Sequence, residues 1–347
     1  MRKESFWIRI VRIKGEWYMK AMVINRFGGA EVFEAGEVPK PTLIPGHVLI
    51  RVKATSVNPV DYKIRKFGPP IAPAFPAVLN GDVAGIIEEV ADNVSRWKVG
   101  DEVFGCVGGL IGTGGALAEY ILADERLLAH KPKNLSFEET AVLPLVSITA
   151  WEGLFEKGNI QAGNKILITG GAGGVGHIAV QLAKWAGARV LATASGDQKQ
   201  KLVLELGAEA VSGRSEAEIK KKAFQVFGKE ELDLAFDTGG GSGFETAIAC
   251  VKRKGKAITI DGSGSFNLGK AHSKSLDLAI VFMLIPLLHD EGREKHGFIL
   301  GEIARLVENG ILKPVLDPER FSWTKIGDAH RKLEEGRAIG KISVTID

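Results

Sequence analysis

The sequence predicts an α/β protein in which a doubly wound parallel sheet is joined to a smaller β-rich domain. Three observations carry this expectation: short strand-like runs up to about residue 130, a strand and helix alternation after residue 145, and five glycines in the seven positions from Gly170 to Gly176. A chain of 347 residues is long enough for about two domains, each with its own core. Its 45 basic and 42 acidic residues are interspersed and leave a formal charge of +3, which argues against a nucleic-acid arm. Cys106 and Cys250 are the only cysteines, too few for a disulfide framework or a four-thiolate zinc site. That usage suits a reducing compartment, and the cytoplasm is the expected location.

Taken in order, residues 1–18 read as an N-terminal extension, because Arg9 and Arg12 interrupt the apolar run and no small-residue cleavage site follows. Residues 19–145 read as the β-rich domain, with strand-like runs such as HVLIRVKATSVN, VAGIIEEVA and DEVFGCV separated by Gly, Pro and Asp. Ser136 and Glu139 have capping-box spacing ahead of a helix that Pro144 must break or kink. Residues 146–292 alternate KILIT, VGHIAVQLAKWAG, ARVLATA, QKQKLVLELG, AEIKKKAFQVFG, LDLAFD, GFETAIACVKRKG and KAITIDG, as parallel strands with helical crossovers do. The apolar run at 278–288 is 11 residues long and contains Pro286, well short of the roughly 20 a membrane span needs, and reads as a buried strand. Residues 293–347 are expected to return to the first domain.

Gly171, Gly173 and Gly176 have G-x-G-x-x-G spacing directly after the strand KILIT and at the start of a helix. One glycine permits a tight turn, one admits a pyrophosphate to the backbone and one lets helix and strand pack closely. With Gly174 and Val175 they place unpaired N–H groups and the positive end of a helix dipole at the phosphates of a dinucleotide. At the end of the next strand an NAD-selective site carries an acid for the ribose 2′-OH, and here Ala194 and Ser195 stand instead. Asp197, 21 residues past Gly176, is an alternative candidate for that acid, but it lies beyond the strand and reads better as a helix cap. Ser195, Lys199 and Arg214 are therefore assigned to a 2′-phosphate, and NADPH is the expected cofactor.

The stretches MKAMVINRFGG, VKATSVNPVDYKIRKFG, GDVAGIIEEV, VGDEVFG, GGALAEY, GGAGGVGHIAVQLAK and GRAIGKISVTID resemble the zinc-free quinone oxidoreductase branch of the medium-chain dehydrogenase/reductase superfamily, the zeta-crystallin-like branch. The resemblance runs from Met19 to Asp347 and implies a chaperonin-10 (GroES)-like substrate domain beside a Rossmann domain. It further implies that Asn58 and Thr149 hold the nicotinamide end of the cofactor, although Asn58 before Pro59 also reads as a turn residue and Thr149 as a helix-internal threonine. Aligned with zinc-dependent relatives, the ligand positions hold Asn58, Gly81 and Leu145, none of which replaces a thiolate or imidazole, so no metal is expected.

The implied chemistry is hydride transfer from NADPH to a quinone or an α,β-unsaturated carbonyl. Asp61 and Tyr62 are the acid–base candidates near Asn58; on an extended segment they would point to opposite faces. Enoyl-thioester reduction is a second reading, weakened because Phe67, Gly68, Pro69 and Pro70 stand where such relatives carry a tyrosine acid. A non-catalytic NADPH-binding protein is a third. The branch also implies a homodimer formed along a sheet edge, with a small molecule as the other partner; the interspersed charge and the short apolar run speak against nucleic acid and membrane as partners.

Overall fold

The computed structural model describes residues 17–346, which divide into two compact units. One holds the chain up to Leu145, Leu284–Glu308 and the chain from Leu316 onward, and the other holds Val146–Met283 and Asn309–Val315. The chain thus returns to the first unit at Leu284, not 293, and lends residues 309–315 to the second. The extension read over residues 1–18 lies almost wholly outside the described residues, and its last member, Tyr18, already opens a strand.

The first unit is built on antiparallel strands. A three-stranded sheet runs in the order Phe33–Pro39, Tyr18–Ile24, Ala77–Val78. A larger sheet runs Phe321–Ser322, Ser343–Thr345, His47–Ser56, Asp82–Val90, Glu102–Cys106, Leu128–His130, with Tyr120–Asp124 also paired to His47–Ser56. The His47–Ser56 strand is its spine: Val48, Leu49, Ile50 and Val52 are buried together with Ile87, Phe104 and Ile121. Each such side chain contributes roughly 1.5–3 kcal/mol on leaving water. Register along that strand shifts at Leu49/Ile50 and again at Val52/Ala54. Gly85 sits between the shifts, where a Cβ would come 2.3 Å from the Arg51 carbonyl oxygen.

Between spine and neighbour the chain forms a helix over Pro59–Phe67, where the sequence reading allowed an extended segment. Local chemistry accounts for it. Asn58 takes the extended N-cap conformation, Pro59 supplies a fixed φ at the first helical position, and Gly68 ends the helix at φ +56 with its N–H on the Ile64 carbonyl.

The second unit carries a six-stranded parallel sheet in the order Ala210–Ser212, Arg189–Thr193, Lys165–Ile168, Leu232–Asp237, Val251–Thr259, Asp277–Ile280. Successive strands are added to one side of Lys165–Ile168 up to Ala210–Ser212 and then to its other side from Leu232–Asp237 onward, so the carboxyl ends of Lys165–Ile168 and Leu232–Asp237 form the switch point of a doubly wound fold. Leu167, Leu191, Ile219, Phe227, Ala235, Phe244 and Ile248 pack one face. Pro144 breaks the helical run as expected, separating Phe137–Ala141 from Pro144–Trp151, after which the backbone loosens into a π-helical turn over Glu152–Lys157.

Two readings need correction here. The helix Ser242–Cys250 stops before VKRKG, which begins the strand Val251–Thr259, because β-branched Val251 already pairs with Leu232. The apolar run at 278–288 is not one buried strand. It is the edge strand Asp277–Ile280, a turn, and the short helix Ile285–His289 with Pro286 in its first turn. Leu278, Ile280 and Phe282 are exposed at 39%, 57% and 47%.

Candidate active site

In the first unit the candidate residues converge on one buried carboxylate. Asp82 opens the strand Asp82–Val90 and is fully buried. Its Oδ2 accepts from Ser56 Oγ at 2.7 Å and Asn58 Nδ2 at 2.7 Å, and its Oδ1 accepts from the Leu145 backbone N–H at 2.9 Å. Lys341, 3% exposed, donates to the Val57 carbonyl at 2.8 Å and to Asn58 Oδ1 at 2.5 Å, with Asp82 Oδ2 3.8 Å away. Asn58, Gly81 and Leu145, the positions expected from the resemblance to stand in place of zinc ligands, lie around Asp82.

These residues do not fit a zinc ion. Asn58 has both ends of its amide engaged, Leu145 carries an apolar side chain that cannot ligate, and a Cβ on Gly81 would lie 2.5 Å from the Gly108 carbonyl oxygen, leaving no room for a ligand side chain. Among the described residues, no group of three or more His, Cys, Asp or Glu side chains is arranged to hold a metal.

Burial sets the electrostatics. Asp61, on the first turn of the Pro59–Phe67 helix, accepts the Asn58 backbone N–H at 2.7 Å. Desolvation pushes its carboxyl up to about 7, with the Asn58 hydrogen bond opposing and the Asp82 charge adding to the rise. Lys341 is pushed down by desolvation, against the pull of Asp82 and Asp61, and the neighbouring Cys106 thiol is pushed up by desolvation and the same carboxylates. Asp61 is thus first a helix cap. Because the segment is helical, Asp61 and Tyr62 are not on opposite faces of a strand; Asp61 is buried and Tyr62 half-buried.

In the second unit the glycine loop occupies the switch point. A Cβ on Gly176 would meet the Gly170 carbonyl oxygen at 2.1 Å, and one on Gly171 would press Ala192 and Val203 at 3.0–3.2 Å. Gly173 is the N-cap of the helix Gly174–Trp185, and no side chain caps the first turn at Gly174, Val175 and Gly176. The loop is tied to the sheet by Gly170 N–H on Thr193 Oγ1 at 3.0 Å and Gly171 N–H on the Thr193 carbonyl at 2.9 Å. Beneath it, fully buried Asp237 accepts from Thr169 at 2.7 Å, Thr259 at 2.9 Å and the Gly240 N–H at 2.9 Å.

The register Thr193↔Ser212 puts Ser195 and Arg214 just past the carboxyl ends of adjacent strands, both exposed, with Lys199 in the first turn of the helix Asp197–Glu205. Gly196, at φ +74, takes the N-cap, so Asp197 is the first helical residue and not the cap itself. Thr149 lies inside the helix Pro144–Trp151 and is 5% exposed.

Known families match both parts. The model described as "Alcohol dehydrogenase GroES-like domain" matches residues 44–133, and "Zinc-binding dehydrogenase" matches residues 174–284. A 2-methylene-furan-3-one reductase of Solanum lycopersicum is 35% identical over 335 residues, 94% of this chain and 79% of the relative. The chain belongs to the medium-chain dehydrogenase/reductase superfamily.

Within that superfamily it falls in the zeta-crystallin-like branch. It is 34% identical to an NADPH-dependent alkenal/one oxidoreductase of Arabidopsis thaliana, again over 94% of this chain and 79% of the relative. A human quinone oxidoreductase is 29% identical over 94% and 98% of the two chains. The crystal structure of an alcohol dehydrogenase superfamily protein from Novosphingobium aromaticivorans superposes with a TM-score of 0.89 at 38% identity, covering 95% of this chain and all of that one. The superfamily's two-part architecture, GroES-like and Rossmann, is therefore present here.

Sequence reasoning missed Asp82, Lys341 and Asp237 at these sites. A signal was available for each: a carboxylate opening or closing an otherwise apolar strand, and a lysine at the edge of the apolar closing strand. Such residues must find partners in the core.

Proposed function

We propose that the chain is a zinc-independent, NADPH-dependent reductase that transfers a hydride to a quinone or an α,β-unsaturated carbonyl. The observation that carries the reading is the uncapped, side-chain-free helix tip at Gly173–Gly176, set at a doubly wound switch point in a chain of this oxidoreductase branch. The bound nicotinamide supplies the hydride; the chain's own residues bind, orient and protonate.

The loop amides receive the pyrophosphate, and Ser195, Lys199 and Arg214 receive the 2′-phosphate that a carboxylate there would repel. Asn58 and Thr149 are assigned to the nicotinamide end, with Asp61 and Tyr62 as the acid–base candidates beside Asn58 and Asp61 also holding the helix start. Zinc independence is supported by a donor set in which Asn58, Gly81 and Leu145 offer no anionic or imidazole ligand. An acceptor that is already electrophilic has no need of a Lewis acid, since hydride addition gives a delocalised oxyanion.

The exposed edge strand Asp277–Ile280 supports a homodimer paired along that edge, because a bare apolar strand edge is a template for a second copy. Two buried, unbonded cysteines support a reducing location such as the cytoplasm. No helix among the described residues is long and apolar enough to cross a membrane.

The test is NADPH oxidation followed at 340 nm with 9,10-phenanthrenequinone and a panel of enones and enals. Turnover with at least one class is expected. Tight NADPH binding with no oxidation by any acceptor would leave the non-catalytic binding protein as the better account.

A further inference from the structure

The Asn58 side chain is clamped at both ends of its amide. A carboxamide has two orientations of similar shape, related by a half-turn that exchanges oxygen and nitrogen, and only its partners distinguish them. The Lys341 ammonium can only donate, and the Asp82 carboxylate can only accept when ionised. With Oδ1 on Lys341 at 2.5 Å and Nδ2 on Asp82 at 2.7 Å, both contacts are attractive and charge-assisted. The half-turned amide would set N–H groups against the ammonium and oxygen against the carboxylate, two repulsions in a buried site.

The clamp is itself fixed. Asp82 is held by Ser56 Oγ and the Leu145 N–H, and Lys341 by the Val57 carbonyl one residue before Asn58. Lys341 comes from the segment just before the closing strand Ser343–Thr345, which pairs with the spine strand at Ser56, so its anchorage is part of the sheet. One Nδ2 hydrogen of Asn58 is spent on Asp82, and the Asp61 carboxyl also shares a side-chain hydrogen bond with Asn58, so the amide is held on the helix side as well.

Resting on the reductase reading above, we propose that Lys341 is a positioning residue: with Asp82 it fixes the orientation of the Asn58 amide, and its effect on hydride transfer passes through Asn58. Lys341 touches neither acceptor nor cofactor in this role. Its contribution belongs to kcat, since it sets the geometry of a group already in place.

A double-mutant cycle on the full chain tests this. Asn58→Ala and Lys341→Met are each expected to lower kcat 10- to 100-fold with the KM for NADPH changed by less than about threefold. The double variant is expected to be no worse than Asn58→Ala within about threefold. Lys341→Gln, which keeps an N–H donor, is expected to recover part of what Lys341→Met loses. Effects that multiply in the double variant, or a glutamine no better than methionine, would overturn the proposal.

Lys341→Met leaves Asp82 without its cation, so Lys341→Met/Asp82→Asn, which removes both charges together and spares the core an unpaired carboxylate, is the second variant. Its Asn58 side-chain amide signals, assigned by nitrogen-labelled NMR, are expected to shift and to report a mixture of orientations. Signals at their wild-type positions would overturn the proposal. This readout needs no substrate. Failure of the wild-type chain to reduce any acceptor would therefore sink the reductase reading, while unchanged amide signals would sink the clamp.

Discussion

At the scale of single residues, the free energy of the glycine loop is decided by distances a methyl group cannot meet. Gly176→Ala would drive a Cβ to 2.1 Å from a backbone oxygen that has no freedom to retreat, since Gly170 is hydrogen-bonded to Thr193. The expected outcome is at least a tenfold loss of NADPH affinity by calorimetric titration, about 1.4 kcal/mol or more. Lys199→Ala is expected to raise the KM for NADPH several-fold and leave NADH nearly unchanged; equal effects on the two cofactors would remove the 2′-phosphate assignment.

Asp61 makes a prediction about pH. Its carboxyl is raised from an ordinary 3.8 to about 7, so between those values the folded chain holds a proton that the unfolded chain has released. Its contribution to stability is therefore full below about pH 4 and is lost as pH rises through about 7. Asp61→Asn keeps an oxygen for the Asn58 N–H and cannot ionise. The wild type is expected to lose melting temperature relative to this variant between pH 5 and pH 8, and parallel curves would contradict the assignment.

At the scale of elements, the helix Pro59–Phe67 shows what short-range chemistry settles and what it hides. Asn58, Pro59 and Gly68 are start and stop signals for this helix, but Asn-Pro is equally a turn signal, and nine residues are too few for periodicity to decide between them. Gly68 stands at φ +56, where a Cβ would lie 2.2 Å from the Phe27 ring. Gly68→Ala is expected to cost about 1–3 kcal/mol in a denaturant melt, from the left-handed backbone and the displaced ring together. The strand at 278–280 erred the other way. An unbroken apolar run is the mark of a strand covered on both faces, yet here it lies exposed at the sheet edge, and composition cannot distinguish burial within one chain from burial by a second copy.

At the scale of the molecule, that edge carries the assembly prediction. Sedimentation is expected to show a dimer of the 37.3 kDa chain, and Ile280→Lys, which sets a charge in the exposed strand, is expected to shift it toward monomer. A wild-type chain that stays monomeric at high concentration would end the edge-pairing proposal. By itself the sequence determined the alternation of strand and helix, the glycine loop and its place after the first parallel strand, because periodicity and backbone sterics act over a few residues. Only tertiary structure decided that Asp82, Lys341 and Asn58 share one buried cluster. They lie far apart along the chain, and what brings an ammonium and a carboxylate together there is the pairing of distant strands and the high cost of leaving either charge alone in the core.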